Sequence, residues 1–351
     1  MAPTGIGHWP CTLIRFARRT GPGIVGRLSS SCSSHQIRLA SSATSKQTRT
    51  AAHGPGGQTT PRRSIDERIP VGAWDSHMHI VDPRFPLAKG TPHKPEYHTF
   101  ADWQRFAKTV GIPRPVFVQP SFYGHDNSCL LEGLRLLGPS RAHGVVTFDP
   151  AATPLSVLQE WDRLGVRGVR INLKSDGVVL THAELAATLQ AYADAVRPLR
   201  WVVQIYMDMA AIPLLEPLVP GLGVPVCIDH MGHPPLADLP AYAKTQDPAT
   251  IPGFDAMARL LKAGHTYVKL SGAYRMATNP DGVTDVLPLA RELLRTAERR
   301  VVFATDWPHT RYYGVDVRPW VGACLDLCDG DQVRIDRLFK SNAEELWAGV
   351  H

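Results

Sequence analysis

Eight short segments rich in Val, Ile and aromatic residues recur along the chain, separated by longer stretches with apolar residues at helical spacing. This alternation limits the fold more than any other feature, because it predicts a parallel sheet wrapped by helices. The predicted strands are Ala73–Val81, Pro115–Pro120, Gly144–Phe148, Gly168–Leu173, Trp201–Met207, Val224–Asp229, Thr266–Leu270 and Val301–Thr305.

The number of strands favours a closed barrel. Eight strands with intervening helices fit a distorted (β/α)8, or TIM, barrel in a single domain, which we place at residues 69–351. A doubly wound sheet is the alternative, but the first predicted strand lacks the Gly-rich phosphate-binding turn of that fold. The predicted helices include Phe100–Val110, Cys129–Leu137, Leu155–Leu164, Ala183–Val196, Phe254–Ala263 and Val283–Ala297.

The positive charge of the chain is concentrated before the barrel. Residues 1–65 hold nine of the 38 Lys and Arg residues and none of the 32 acidic ones, so the rest carries a net charge of −3 against +6 overall. A slightly acidic body offers no basic surface for nucleic acid. No apolar run approaches the roughly 20 residues that cross a bilayer. We therefore expect a small-molecule partner, with neither nucleic acid nor membrane.

Residues 1–68 form a predicted extension outside the barrel. Arg- and Ser-rich, acid-free N-termini are typical of organelle transit peptides, which predicts a mitochondrial location, with the cytoplasm as the alternative. A disordered extension, or translation from a start codon upstream of the true one, would leave the same composition. The six cysteines are too scattered for a disulfide framework in a chain of this length.

The first predicted strand ends in two histidines. In the segment D-S-H-M-H, His77 and His79 are two residues apart, so both imidazoles lie on one face of the strand. The carboxyl ends of barrel strands surround the active site in this fold. Two imidazoles at that position suit a divalent metal ion, or a group of hydrogen-bond donors around a substrate oxygen.

Two further candidates follow the sixth and eighth strands. His230 lies where the sixth strand ends, and the preceding Asp229 either orients a neighbouring ring or is a buried structural acid. Asp306 follows an apolar strand and precedes an abrupt Trp-Pro turn, so it can bind a metal or act as general base. The predicted catalytic residues are His77, His79, His230 and Asp306.

Guanidinium, hydroxyl and amide groups near the same strand ends are candidates for substrate binding. Arg170 lies on the fourth strand and Arg275 follows the seventh, and guanidinium groups there suit a substrate carboxylate. Gln204 on the fifth strand is a weaker inward-facing candidate. The predicted substrate-binding residues are Arg170, Arg275, Gln119, Ser121, Tyr123 and His309.

From residue 69 onwards the motifs, in this order, resemble the amidohydrolase superfamily. The resemblance is to its amidohydrolase-related branch, which contains 2-pyrone-4,6-dicarboxylate hydrolase and sugar lactonases. The motifs are W-D-S-H-M-H at 74–79, V-R-G-V-R-I-N at 166–172, I-D-H-M-G at 228–232, K-L-S-G-A-Y-R at 269–275, A-T-D-W-P-H at 304–309 and N-A-E-E-L-W at 342–347.

The resemblance implies a hydrolase that opens a small carboxylated lactone. Asp306 would activate a water, the imidazoles would polarise the carbonyl group, and Arg170 and Arg275 would hold a carboxylate. Members of the branch use one zinc ion or none, and we expect no essential metal here. If one Zn is bound, its predicted ligands are His77, His79, His230 and Asp306.

The chain departs from the dicarboxylate enzyme at residues 174–176, where Lys-Ser-Asp replaces a further Arg. A monoacid or sugar lactone therefore becomes a plausible substrate. A zinc-dependent decarboxylase of an aromatic or related carboxylic acid is the alternative function. A barrel that only binds a ligand is disfavoured, because all four candidate catalytic residues are present.

Overall fold

The computed structural model describes residues 64–91, 94–175 and 177–348. The predicted targeting extension lies outside them up to residue 63, as does Asp176 of the departing segment, and targeting stays a prediction. The last residues of the extension are folded: Ile65–Arg68 form a short helix (α1), and Arg68 pairs with Asp326 at 2.9 Å. Ile65 packs against the core, so the folded body begins before the predicted boundary at Ile69.

All eight predicted strands are present, and each pairs in parallel with its neighbours in chain order. This order confirms the barrel, because a doubly wound sheet reverses its strand order at one point. The strands are β1 Trp74–Met78, β2 Arg114–Val118, β3 His143–Val146, β4 Val166–Asn172, β5 Val202–Tyr206, β6 Val226–Ile228, β7 Thr266–Leu270 and β8 Val301–Phe303.

The barrel closes between β8 and β1 beyond the end of β8. Asp306 N donates to His77 O at 2.9 Å, and His79 N donates to Trp307 O at 2.8 Å. The Asp75 carboxylate adds a third link, since its Oδ1 accepts from Thr305 N at 2.8 Å. The closure therefore places the segment after β8 directly beside the histidines of β1.

Helices surround the barrel, and several match the predicted bounds. The predicted Val283–Ala297 is wrong at its start, because Asp281 accepts from the backbone of Val283 and Thr284 in a turn that precedes the helix. The helices after α1 are α2 Phe100–Val110, α3 Ser128–Leu137, α4 Leu155–Leu164, α5 His182–Val196, α6 Pro240–Thr245, α7 Phe254–Ala263, α8 Ala273–Met276, α9 Leu287–Ala297, α10 Arg318–Asp326, α11 Gln332–Asp336 and α12 Asn342–Trp347. In the described part of the chain, no helix combines the length and apolar character needed to traverse a bilayer.

The last helix fills the amino-terminal end of the barrel. Trp347 of α12 is fully buried in a cluster with apolar side chains that point inward from the strands, such as Val145 and Val302. Its Nε1 donates to Ser76 Oγ at 3.3 Å, and Asn342 Nδ2 donates to Val301 O at 2.8 Å. The apolar filling at this end leaves the polar interior side chains to the carboxyl end.

Candidate active site

The four predicted catalytic residues converge at the carboxyl ends of β1, β6 and β8. His77, His79, His230 and Asp306 are all buried. Asp306 Oδ1 lies 3.8 Å from Nε2 of His77 and 3.8 Å from Nε2 of His79, and Oδ2 lies 3.8 Å from Nε2 of His230. One carboxylate therefore faces three imidazoles, as expected from the positions of these residues at the strand ends.

The backbone at two of these positions is strained. His230 has φ of 50° and Asp306 has φ of 63°, in the left-handed region that non-glycine residues seldom adopt. His309, three residues beyond Asp306, has φ of 61°. Such conformations persist where the surrounding structure enforces them, and they concentrate at functional sites. Here they turn the chain sharply as it leaves β6 and β8.

The two oxygens of Asp306 have different surroundings. Oδ2 accepts from Arg275 Nε at 2.6 Å and from the Tyr274 hydroxyl at 2.8 Å. Oδ1 is buried and has no hydrogen-bond donor among the described residues. Burial alone would raise the pKa of Asp306, but the Arg275 guanidinium holds that pKa well below its usual range. The carboxylate is thus ionised, with one oxygen free to take a proton or bind a cation.

The imidazoles around Asp306 are neutral near pH 7. Burial lowers the pKa of His79 to about 4 and that of His230 to about 4. His79 Nδ1 lies 2.7 Å from Val118 O, which can only accept, so Nδ1 carries the proton and Nε2 has a lone pair. His230 Nδ1 lies 2.8 Å from Ser271 Oγ.

Asp229 is the centre of a second, deeper set of contacts. Its Oδ2 accepts from Gln204 Nε2 at 2.9 Å and from Arg170 Nη2 at 3.4 Å. Its Oδ1 lies 3.2 Å from His77 Nδ1 and 3.3 Å from Lys269 Nζ. Burial opposes ionisation, yet Lys269 and its other partners hold the pKa of Asp229 well below its usual range. Asp229 is thus a buried acid that also contacts the ring of His77, so the two roles predicted for it as alternatives do not exclude each other.

Sequence reasoning missed three polar residues of this site. Lys269 is fully buried in β7 and contacts His77 as well as Asp229. Its signal was a lysine within an otherwise apolar strand. Tyr274 and Ser271 lie in the same motif and contact Asp306 and His230, but a hydroxyl in a loop carries no pattern that identifies its partner.

A cavity of about 360 Å³ opens above Asp306. Predicted residues that line it are His79, His230, Asp306, Arg170, Arg275 and Ser121. Lys89 and Arg311 line it as well, so the charged side chains around it in the described chain are four cations and one carboxylate. His77 lies beneath this lining, fully buried, and reaches Asp306 from below.

Three residues predicted to contact the substrate do not line the cavity. Gln119 donates to the carbonyl groups of Gly124 and Asp126 at 3.1 and 2.7 Å, which holds the loop after β2. The Tyr123 hydroxyl is buried against the backbone of Asp82. His309 packs edge-on against the ring of Tyr274, with its centroid 5.1 Å away. Gln119 and Tyr123 thus contact loop backbone and His309 packs on a loop ring, and none of the three faces the cavity.

Comparison with known proteins matches the amidohydrolase family model to residues 74–349. The 4-sulfomuconolactone hydrolase of Hydrogenophaga intermedia is 30% identical over 307 residues, which are 85% of this chain and 94% of the relative. The 2-pyrone-4,6-dicarboxylate hydrolase of Comamonas testosteroni is 29% identical over 252 residues, which are 69% and 78%. An apo crystal structure from Agrobacterium tumefaciens, 23% identical, shares the fold with a TM-score of 0.66 and covers 81% of this chain and 98% of its own. The extent of the family match shows that this chain belongs to the amidohydrolase family.

Proposed function

We propose that this enzyme is a hydrolase that opens a small carboxylated lactone. The observation that carries the proposal is the ionised, buried Asp306, whose free Oδ1 faces neutral imidazoles beneath a cavity lined by cations. The names of the two relatives above describe hydrolases of lactone-type substrates, which supports the same chemistry here.

In the proposed reaction Asp306 is the general base and accepts one proton. Oδ1 takes a proton from a water in the cavity, and the water oxygen attacks the carbonyl carbon of the lactone. The ring C–O bond then breaks, and Asp306 returns its proton to the former ring oxygen, which becomes the hydroxyl of the product. The carbonyl carbon becomes a carboxylic acid, which releases its proton to solvent near pH 7. When the Ser271 hydroxyl donates to His230 Nδ1, the proton of the neutral ring lies on Nε2. This N–H group can then donate to the carbonyl oxygen of the lactone as negative charge develops on that oxygen.

The cationic lining supports an anionic substrate. Arg170 and Arg275 are paired with Asp229 and Asp306, whereas Lys89 and Arg311 make no ion pair within the described chain. They come from the loops after β1 and β8, not from the segment at residues 174–176. The cavity thus holds enough positive charge for a lactone that bears one or two carboxylates, despite the substitution in that segment.

The donor set also fits one divalent metal ion. Ligand atoms of His77, His230 and Asp306 all lie within 4.8 Å of one another, and the buried Oδ1 of Asp306 lacks a donor. Nitrogen and carboxylate ligands are typical of zinc, and His79 would complete the set. A bound ion would lower the pKa of a water and polarise the carbonyl group. That no metal is essential stays a prediction.

A lactone screen tests the proposal. The metal-stripped protein is assayed with mono- and dicarboxylated lactones and with uncharged lactones, with zinc or with chelator, and proton release is followed. We expect turnover of carboxylated lactones above uncharged ones of the same ring size. If no lactone is turned over and carbon dioxide is released from an aromatic acid only with zinc, the enzyme is a decarboxylase and the proposal is wrong.

A further inference from the structure

Arg275 contacts Asp306 through only one of its nitrogen atoms. Its Nε donates to Asp306 Oδ2 at 2.6 Å, and neither Nη atom has a hydrogen-bond partner in the described part of the chain. Oδ2 also accepts from the Tyr274 hydroxyl, whereas Oδ1 has no donor there. A guanidinium group beside a carboxylate frequently forms two parallel hydrogen bonds, one to each oxygen. The one-pronged arrangement of Arg275 therefore needs another contact to hold it.

Two tyrosine rings supply that contact. Arg275 Cζ lies 5.2 Å from the ring centroid of Tyr274 and 5.4 Å from that of Tyr312, and the two centroids are 5.0 Å apart. The ring planes meet at 68°, so the cation lies in the angle between two aromatic rings. Such attraction is stronger where water is excluded, and only 14% of the Arg275 side chain is exposed. Turning the guanidinium group to bind both oxygens of Asp306 would change its position over both rings.

The loop after β8 brings Tyr312 to this position through two successive turns. His309 N donates to Asp306 O at 2.9 Å, and Tyr312 N donates to His309 O at 2.7 Å. Asp306, His309 and Arg311 have positive φ values of 63°, 61° and 73°. The Tyr312 side chain is partly exposed, and its hydroxyl makes no hydrogen bond within the described chain. Its ring, and not its hydroxyl, therefore makes the contact with Arg275.

We infer that Tyr312 is a positioning residue that keeps the two Nη groups of Arg275 free for the substrate. Arg275 lines the cavity, so Nη groups that Asp306 does not use can bind a carboxylate of the lactone. The same orientation leaves Asp306 Oδ1 without a hydrogen bond from Arg275, so this oxygen can accept the proton of the water. Tyr312 thus acts on substrate binding and on the general base through one cation. The inference rests on the proposed function.

Crystal structures of the full chain test this geometry without substrate. In the wild type and in Tyr312→Phe, which keeps the ring, we expect only Nε of Arg275 to contact Asp306. In Tyr312→Leu the guanidinium group should turn, so that Nε and one Nη bind both oxygens of Asp306. A two-pronged pair in the wild type overturns the inference, whether or not Tyr312→Leu folds. An unturned guanidinium group in Tyr312→Leu overturns it as well, and so does a turned one in Tyr312→Phe.

Steady-state kinetics test the consequence for substrate binding. Tyr312→Leu should raise KM for a carboxylated lactone about tenfold, the size expected for one partly desolvated cation–π contact. KM for an uncharged lactone of the same ring size should not change, and Tyr312→Phe should restore the wild-type values. An equal rise in KM for both lactones would show a loss of packing alone and would overturn the inference.

Tyr313→Leu is the matched control. Tyr313 is the neighbouring exposed tyrosine, and its hydroxyl accepts from Glu96 N at 3.4 Å while its ring makes no contact with Arg275. This variant should keep the wild-type KM for both lactones, and a rise like that of Tyr312→Leu would contradict the role of Tyr312. If no lactone is turned over, the proposed function fails, while the crystal structures still decide how Arg275 is held.

Discussion

Asp306 Oδ1 is the atom on which the proposed chemistry depends. We expect Asp306→Asn to lower kcat by about a thousandfold, within the range that general-base catalysis contributes, while the Kd of the hydrolysis product changes little. An amide cannot accept the proton of the water, yet it fills the same volume. Steady-state kinetics and calorimetry measure the two quantities.

Asp316→Asn is the matched control for that variant. Asp316 is an exposed aspartate that forms a two-pronged pair with Arg318 outside the cavity, so its kcat should stay at the wild-type value. Equal losses in the two variants would show that the Asp306 effect reports folding and not proton transfer.

The lowered pKa values of the imidazoles predict an unusual pH profile. His79 and His230, each with a pKa of about 4, stay neutral down to that pH, while Asp306 stays ionised. We therefore expect kcat/KM of the metal-free enzyme to be flat from pH 8 to about 5 and to fall as either ring is protonated near pH 4. A fall centred near 6.5, the ordinary histidine value, would contradict it.

The roles of some individual site residues can be predicted from the sequence, and the roles of others cannot. His77, His79, His230 and Asp306 could be found because each stands where a strand ends, and the barrel brings those ends together. The contacts of Lys269 could not be assigned, since they are made with His77, Gln204 and Asp229, which are far apart along the chain.

The loops after β1 and β8 supply charge that the strands do not. We expect Arg311→Ala to raise KM for a dicarboxylated lactone by roughly tenfold and to leave kcat almost unchanged, because Arg311 lines the cavity without touching Asp306. KM for an uncharged lactone of the same ring should not change. Equal changes in KM for both substrates would exclude charge recognition by this side chain.

Arg318→Ala is the control at the level of the loop. Arg318 begins α10 a few residues after Arg311, is exposed, and is paired with Asp316. Its loss should leave KM for both substrates within twofold, since Arg318 is not among the residues that line the cavity.

Strand positions could be predicted from their apolar patterns, but not every helix boundary. The start of α9 is delayed by the Asp281 turn, and Pro288 near its first residue favours a new helix there. The periodic apolar pattern runs through this turn without a break, so the pattern alone placed the start too early. Side-chain bonds to the backbone decide such boundaries.

Across the whole molecule, buried neutral histidines make the fold sensitive to acid. Their pKa values are lowered in the folded state, so between about pH 6.5 and 4 the unfolded chain binds more protons, and stability falls as pH falls. Burial raises the pKa of Asp75 to about 6, so protonation of this carboxyl group stabilises the folded state as pH falls. This single group opposes the effect of several histidines. The histidines with lowered pKa values of 3 to 4 are His79, His143, His230, His233 and His309.

We therefore expect the free energy of unfolding of the metal-stripped protein to drop by about 3 kcal/mol or more between pH 7 and 5. Urea titrations at pH 7, 6 and 5 measure the change. A constant free energy over this range would mean that the rings are protonated, or exposed, in the folded state.

The closed barrel could be predicted from the alternation of strands and helices, but the way it closes could not. β8 and β1 meet through Asp306, Trp307 and the side chain of Asp75, beyond the regular strand pairs. No periodic pattern marks such a contact, because it joins residues more than 200 positions apart along the chain.

The position of α12 has a consequence for the order of folding. Trp347 packs at the base of the barrel together with Trp74 of the first strand, so the first strand and the last helix meet in one apolar cluster. We therefore expect this end of the interior to be filled last, because the cluster draws its side chains from strands throughout the barrel.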